Sequence, residues 1–121
     1  MAWLEQYLEP SYAAQDVQAT LLQLTVSSIG DAIDQYCGKV DEIYVCGGGA
    51  RNNALIDSLR HAFAAQATFV ALTDDVGIGA ESVEALAFAW LARQTLQQAP
   101  GNLPAVTGAR HSCVLGAIYP R

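Results

Sequence analysis

VCGGGARNNAL, residues 45–55, decides how the rest of the chain is read. It begins at the end of an apolar run, holds three glycines in a row at 47–49, and leads into a helical pattern. In an α/β unit the loop after a strand's carboxyl end faces the ligand crevice. Glycines let the backbone approach a ligand closely, because no Cβ intervenes, and the following helix offers unpaired amides and the positive end of its dipole. That equipment suits a nucleotide phosphate or ribose. The dinucleotide fingerprint fits poorly, since Gly47 and Gly49 match its first two glycines but Asn52 stands where the third belongs. From these residues alone two readings stay open, a nucleotide-facing turn and a plain strand–helix turn.

Working outward, KVDEIYVC (39–46) carries a strand, and the run Ile43, Tyr44, Val45, Cys46 predicts burial on both faces. After the glycines, Asn52 or Asn53 can cap a helix with Leu55, Ile56, Leu59 and Phe63 on its inner face. ATFVAL (67–72) is a second short buried strand, and TDDVGIGA (73–80) a loop. ESVEALAFAWLARQTLQ (81–97) is a further strong helix. Before the first strand, WLEQYL (3–8) reads as a short helix closed by Pro10. A long helix then begins within residues 11–16, with a stripe of Val17, Leu21, Leu24, Ile29, Ile33 and Tyr36, and ends at Gly38. PGNLPAVTGARHS (100–112) is irregular, and VLGAIYP (114–120) is expected as a closing strand. Strands alternating with helices imply parallel pairing in a single α/β domain over residues 1–121, with a short, mostly parallel sheet flanked by helices.

Composition adds a constraint on the surface. Of the 121 residues 52% are hydrophobic and only 15% charged, against roughly 25% charged in ordinary soluble domains. Part of the surface is therefore expected to be covered by something else, and self-association is a fair expectation for the bare chain. The net charge of −6, with six Lys and Arg and no basic run, removes the electrostatic footing for nucleic-acid binding. No apolar stretch is long enough to span a membrane, and no signal-peptide pattern opens the chain. Cys37, Cys46 and Cys113 are odd in number and widely spaced, which fits a reducing cytosol and small core hydrophobes rather than a disulfide framework or zinc site.

Two carboxylates precede the most apolar helix. Every residue from Ala85 to Ala92 is apolar, so that helix is expected to be covered all round. Glu81 and Glu84 lie three apart just ahead of it. Glu81 suits the positive helix end, worth a few tenths to about 1 kcal/mol. Glu84 stands nearer the apolar section, where a carboxylate needs a partner or a wet cleft to escape desolvation. A ligand hydroxyl would serve, and the helix-dipole role remains the alternative. Asp74 and Asp75 suit a turn and helix entry. His61 falls among polar neighbours on a helix, His111 in the irregular tail, and no hydrolase or metalloprotease spacing includes either.

Read in order, QDVQATLLQLTVSSI, VCGGGARNNALIDSL, ESVEALAFAWLA, NLPAVTGA and VLGAIYP resemble the carboxyl-terminal third of the anhydro-N-acetylmuramic acid kinase family, from about Trp3 to Pro120. The glycine turn is shared among many sugar kinases; the EALAFAWLA helix followed by AVTGA and LGAIYP is far more specific. The resemblance implies part of a ribonuclease H-like, actin-like ATPase domain of the sugar-kinase superfamily, within a cytoplasmic, two-domain bacterial enzyme. It implies ATP in the cleft between the domains, accompanied by Mg²⁺ whose ligands lie outside this chain. The acceptor would be the 1,6-anhydro amino sugar of the cell wall, hydrolysed and phosphorylated to N-acetylmuramic acid 6-phosphate in peptidoglycan recycling.

By the same resemblance Gly47, Gly48 and Gly49 would lie along the nucleotide, with Asn52 at the start of the next helix. Glu84 would face the sugar, Asp75 and Gly77 would belong to the loop leading to it, and Val106–Ala109 would lie near the cleft. The family's amino-terminal glycine–threonine–serine turn and its catalytic aspartate have no counterpart in these 121 residues. Phosphoryl transfer needs both phosphate positioning and a group that orients the nucleophile. The chain alone is accordingly expected to be inactive, with the amino-terminal part of the same enzyme as its partner. Two rival expectations are a standalone nucleotide-binding or interaction domain without catalysis, and a sugar kinase with a different acceptor.

Overall fold

The computed structural model describes residues 2–119; Met1, Pro120 and Arg121 lie outside the described residues. Its centre is a strand–helix–strand unit. Strand β1 (Glu42–Val45) and strand β2 (Phe69–Leu72) pair in parallel, with Glu42 opposite Phe69 and Val45 opposite Leu72. Parallel neighbours need a long crossover, and helix α3 (Asn53–Phe63) supplies it. As the sequence predicts, Ile56, Leu59 and Phe63 are buried on its inner face and Leu55 packs beside them.

Helix α2 (Ala14–Tyr36) lies against α3. The core forms where Val26 of α2, Leu59 and Phe63 of α3 and Val70 of β2 meet, with Ile29, Ile33, Ile43 and Val45 around them. The stripe that seats α2 therefore includes Val26, which the expected pattern omitted, while Leu24 and Tyr36 of that pattern are exposed. Leu22, Val26, Ile29 and Ile33 follow steps of four, three and four, a closer match to one helical face. Two polar contacts hold the sheet. The Thr68 hydroxyl donates to the Val40 carbonyl at 2.8 Å, and Arg60 Nε donates to the Val70 carbonyl at 3.2 Å.

Beyond this unit the chain packs loosely. Helix α1 (Ala2–Glu5) is shorter than expected and ends before Pro10. Helix α4 (Val83–Leu96) buries no residue, and helix α5 (Pro104–Thr107) is a single turn within the stretch expected to be irregular. The expected strand over 114–120 is absent among the described residues, and its last position, Pro120, lies outside them. A strand exists only beside another strand, and neither edge of the two-stranded sheet takes this segment. The exposed area is 9301 Å². A compact monomer of 12.8 kDa would expose about 6,300 Å².

Several expectations about burial are corrected by this arrangement. Strand β1 is half-buried rather than fully covered: Ile43 and Val45 pack beside the core cluster against α2 and α3, Tyr44 on the opposite face is half-buried, and Glu42 is exposed. Cys37 and Cys46 are exposed and Cys113 half-buried, so none serves as a core hydrophobe. Helix α4 is not covered all round: Phe88 is 63% and Trp90 49% exposed. Among the described residues no helix is long and apolar enough to cross a membrane.

Candidate functional site

Because the strands are parallel, their carboxyl ends lie on one side of the sheet, and both lead into loops that meet there. From β1 the chain enters Gly47, whose φ of +73° is a conformation that L side chains rarely adopt. A short 3-10 turn follows over Gly48–Arg51, closed by the Ala50 N–H donating to the Gly47 carbonyl at 3.0 Å. Asn52 then caps α3, its Oδ1 accepting the Leu55 N–H at 3.3 Å. This resolves the choice of cap, since Asn53 is already the first helical residue.

From β2 the chain enters a second 3-10 turn, Thr73–Val76, stopped by Gly77 at a φ of +81°. Both aspartates here serve the turn as the sequence suggests. Asp75 Oδ2 accepts the Leu72 N–H at 3.0 Å, and Asp74 Oδ2 accepts the Ala80 N–H at 3.2 Å. The two loops are then tied together. The Gly47 N–H donates to the Ala80 carbonyl at 2.8 Å, and Arg51 pairs with Glu81. Between them lies a cleft of about 380 Å³ lined by Gly47, Ala50, Arg51, Leu72, Asp74, Gly79, Ala80, Glu81 and Ser82.

The three glycines are not equivalent. At Gly47 the backbone itself demands glycine. At Gly48 an added Cβ would meet no atom within 4 Å, so neither conformation nor internal packing requires glycine there. At Gly49 a Cβ would touch Leu55 at 3.5 Å, an ordinary contact. A nucleotide lying over Gly48 would use the open space; the turn as folded does not.

The remaining expected site residues divide. Gly47 lines the cleft, whereas Gly48, Gly49, Asn52 and Glu84 do not. Asn52 instead borders a hollow between α2 and α3 with Gln18, Leu22 and Leu55. Glu84 sits in the first turn of α4 with its side chain exposed, and the desolvation argument for it does not apply in this chain, because the helix beside it is itself bare. Glu81 precedes the helix rather than capping it, Ser82 standing at the cap position, and its charge is answered by Arg51 instead of by the helix dipole. Both partners are well exposed, so this pair is worth about 0–1 kcal/mol and serves register more than stability. Arg51 is the site residue that sequence reasoning passed over. Its one signal was a lone cation two positions after the last glycine, beyond Ala50, in a chain with few cations.

Among the described residues no group of three or more His, Cys, Asp or Glu side chains is placed to hold a metal ion. The ionisation of Tyr44 on β1 is perturbed. Its hydroxyl donates to Glu42 Oε2 at 3.0 Å, which holds the phenol above its ordinary value, with further contributions from burial and the charges of Glu42 and Asp75.

This geometry defines a class: an α/β unit whose glycine turn and helix-entry loop meet at the carboxyl ends of parallel strands, where open α/β sheets place their ligand crevices. The chain belongs to the anhydro-N-acetylmuramic acid kinase family, whose model matches residues 1–121. It is 57% identical over 118 residues to the anhydro-N-acetylmuramic acid kinase of Nitrosospira multiformis, covering 98% of this chain and 32% of that protein. The kinase of the same name from Nitrosomonas europaea is 54% identical over 118 residues, with the same coverage. That of Legionella pneumophila (strain Paris) is 42% identical over 120 residues, covering 99% of this chain and 32% of the relative. The chain thus spans about a third of the length of the curated relatives it matches.

Proposed function

We propose that this chain is the carboxyl-terminal part of a cytoplasmic, ATP-dependent kinase acting on 1,6-anhydro-N-acetylmuramic acid in peptidoglycan recycling. The observation that carries the reading is the family match over the whole chain, combined with a glycine turn hydrogen-bonded to the loop that opens α4. On this reading the strand–helix–strand unit belongs to a ribonuclease H-like ATPase domain of a two-domain enzyme, and the cleft at Gly47 opens toward the nucleotide.

The reaction consumes water and ATP. Water adds at the anomeric carbon and breaks its bond to O6, the freed O6 takes the γ-phosphoryl group, and ADP leaves with N-acetylmuramic acid 6-phosphate. A base must take the proton from the water, and we assign that group, the phosphate-binding turn and the Mg²⁺ ligands to residues outside these 121. What this chain contributes is positioning. Gly47, Gly48 and Gly49 let the backbone lie along the nucleotide. Asn52 fixes the direction of α3 behind them through its cap. Glu84 accepts a hydrogen bond from a sugar hydroxyl.

The test uses a full-length chimera, the Nitrosospira multiformis kinase with its matching third replaced by this chain. It is expected to turn over anhydro-sugar with ATP, whereas the 121-residue chain alone does not. In the chimera Gly48→Val should raise the KM for ATP several-fold, since the added side chain enters the space assigned to the nucleotide. Glu84→Gln should raise the KM for the sugar more than that for ATP. Sugar kinetics unchanged by Glu84→Gln would remove Glu84 from the site, and turnover by the isolated chain would overturn the assignment of the base.

A further inference from the structure

Arg51 and Glu81 pair across the cleft from opposite walls. Arg51 closes the 3-10 turn that begins at Gly48 and stands directly before Asn52, the cap of α3. Glu81 follows Ala80 and lies three residues before Glu84, in the first turn of α4. The backbone beside the pair is already tied at one residue. Ala80 donates its N–H to Asp74 at 3.2 Å, and its carbonyl accepts the Gly47 N–H at 2.8 Å. A single tied residue is a pivot, about which the entry of α4 can still turn. A second contact removes that freedom, and the Arg51–Glu81 pair supplies it.

We propose that Arg51 and Glu81 are positioning residues: their ion pair locks the glycine turn to the entry of α4, so that the nucleotide-facing and sugar-facing walls hold one geometry. The inference rests on the proposed function, which puts the nucleotide along Gly47–Gly49 and the sugar at Glu84. Stability does not account for the pair, because its side chains are 74% and 60% exposed and an exposed pair contributes little to folding. Its surroundings change when the cleft fills. A bound ligand displaces water from about 380 Å³ beside both side chains. The attraction between two charges grows about fourfold as the effective dielectric falls from about 80 to about 20. The pair is therefore weak in the empty cleft, where the loops must admit a ligand, and strong in the filled one, where reacting groups must stay aligned. The charges lining the cleft agree with this pairing. Arg51 is its cation, and of its two carboxylates Asp74 is already committed to the Ala80 N–H, which leaves Glu81 for Arg51. If Arg51 left Glu81 for a phosphate, the Glu81 carboxylate would face that anion unpaired.

The test uses the full-length chimera with the Nitrosospira multiformis kinase, and the signature of a lock is crosswise. Arg51→Gln, on the nucleotide wall, should raise the KM for the sugar several-fold. Glu81→Gln, on the sugar wall, should raise the KM for ATP several-fold, and the double variant should lose no more than either single one. Arg51→Lys, which keeps the charge, should retain most of the parent's sugar KM. Hydrogen exchange at the Gly47 amide, which is bonded to Ala80, should quicken several-fold in either single variant. An effect of Arg51→Gln on ATP alone, with Glu81→Gln leaving ATP unmoved, would make Arg51 a nucleotide ligand and overturn the proposal. Additive losses in the double variant, or Gly47 exchange unmoved by both substitutions, would overturn it too. A parent chimera without turnover would break the proposed function; quickened Gly47 exchange in its variants would still support the lock, and unmoved exchange would sink it.

Discussion

Helices α3 and α4 are of similar length and both rich in apolar residues, yet one anchors the molecule and the other touches little of it. In α3 the apolar residues fall on one stripe and the polar ones, Asp57, Arg60 and His61 among them, on the other, so a single neighbouring surface satisfies it. In α4 apolar residues run round the axis from Ala85 to Ala92, and no one surface can satisfy it. Hydrophobicity sets how much a helix gains from burial, but its angular distribution sets how many neighbours must supply that burial. The strand–helix–strand unit of this chain can seat α3. It has no second layer for α4.

Leu59, 1% exposed at the centre of the core, should cost about 2–5 kcal/mol when changed to Ala. In the isolated chain Leu86→Ala on α4 should cost within about 0.5 kcal/mol, as exposed substitutions do. Urea denaturation of the two variants checks both, and equal losses would mean that α4 is seated after all.

The glycine turn allows a finer version of the same contrast. Gly47→Ala forces a side chain into a left-handed conformation and should destabilise by about 1–2 kcal/mol. Gly48→Ala, with open space at its Cβ and an ordinary φ, should leave the denaturation midpoint nearly unchanged. A large loss at Gly48 would make that glycine structural and weaken its nucleotide role. Asn52→Ala removes the cap of α3 and should cost about 1 kcal/mol, visible as a lower Tm, with Asn52→Asp retaining most of it.

The smallest effect concerns the edge of the sheet. With its hydroxyl bonded to Glu42, Tyr44 should titrate above the ordinary tyrosine value of 10.0, and Glu42→Gln should bring it back toward that value. A pKa raised in the folded chain stabilises below the unfolded value, and that contribution is lost as pH rises through the folded one. Tyrosine NMR signals followed against pH, with and without Glu42→Gln, measure the shift directly.

Around the glycine turn, where a residue's role depended on its near neighbours, the sequence foresaw it; the seating of α2 it did not, since Leu24 and Tyr36 of the expected stripe are exposed and Val26, left out of it, is buried. The inner face of α3, an asparagine cap at 52 or 53, the turn role of Asp74 and Asp75 and the parallel pairing all follow from short-range pattern and were met by the fold, which chose Asn52 as the cap. Where a role depended on what covers a surface, pattern misled. Cys46 looked like core and is exposed, Glu84 looked at risk of desolvation and is exposed, and residues 114–119 looked like a strand and have no neighbour to pair with.

What the sequence by itself determined is thus the local grammar: a strand, three glycines, a capped amphipathic helix and a second strand, with a helix too evenly apolar to be satisfied on one face. The tertiary structure decided which distant groups meet. It brought the Gly47 amide to the Ala80 carbonyl and Arg51 to Glu81, closing two loops about 30 residues apart around one cleft. It also left α4 bare. Spacing along a chain fixes which side chains share a face, but only the packed fold fixes what that face finds opposite it.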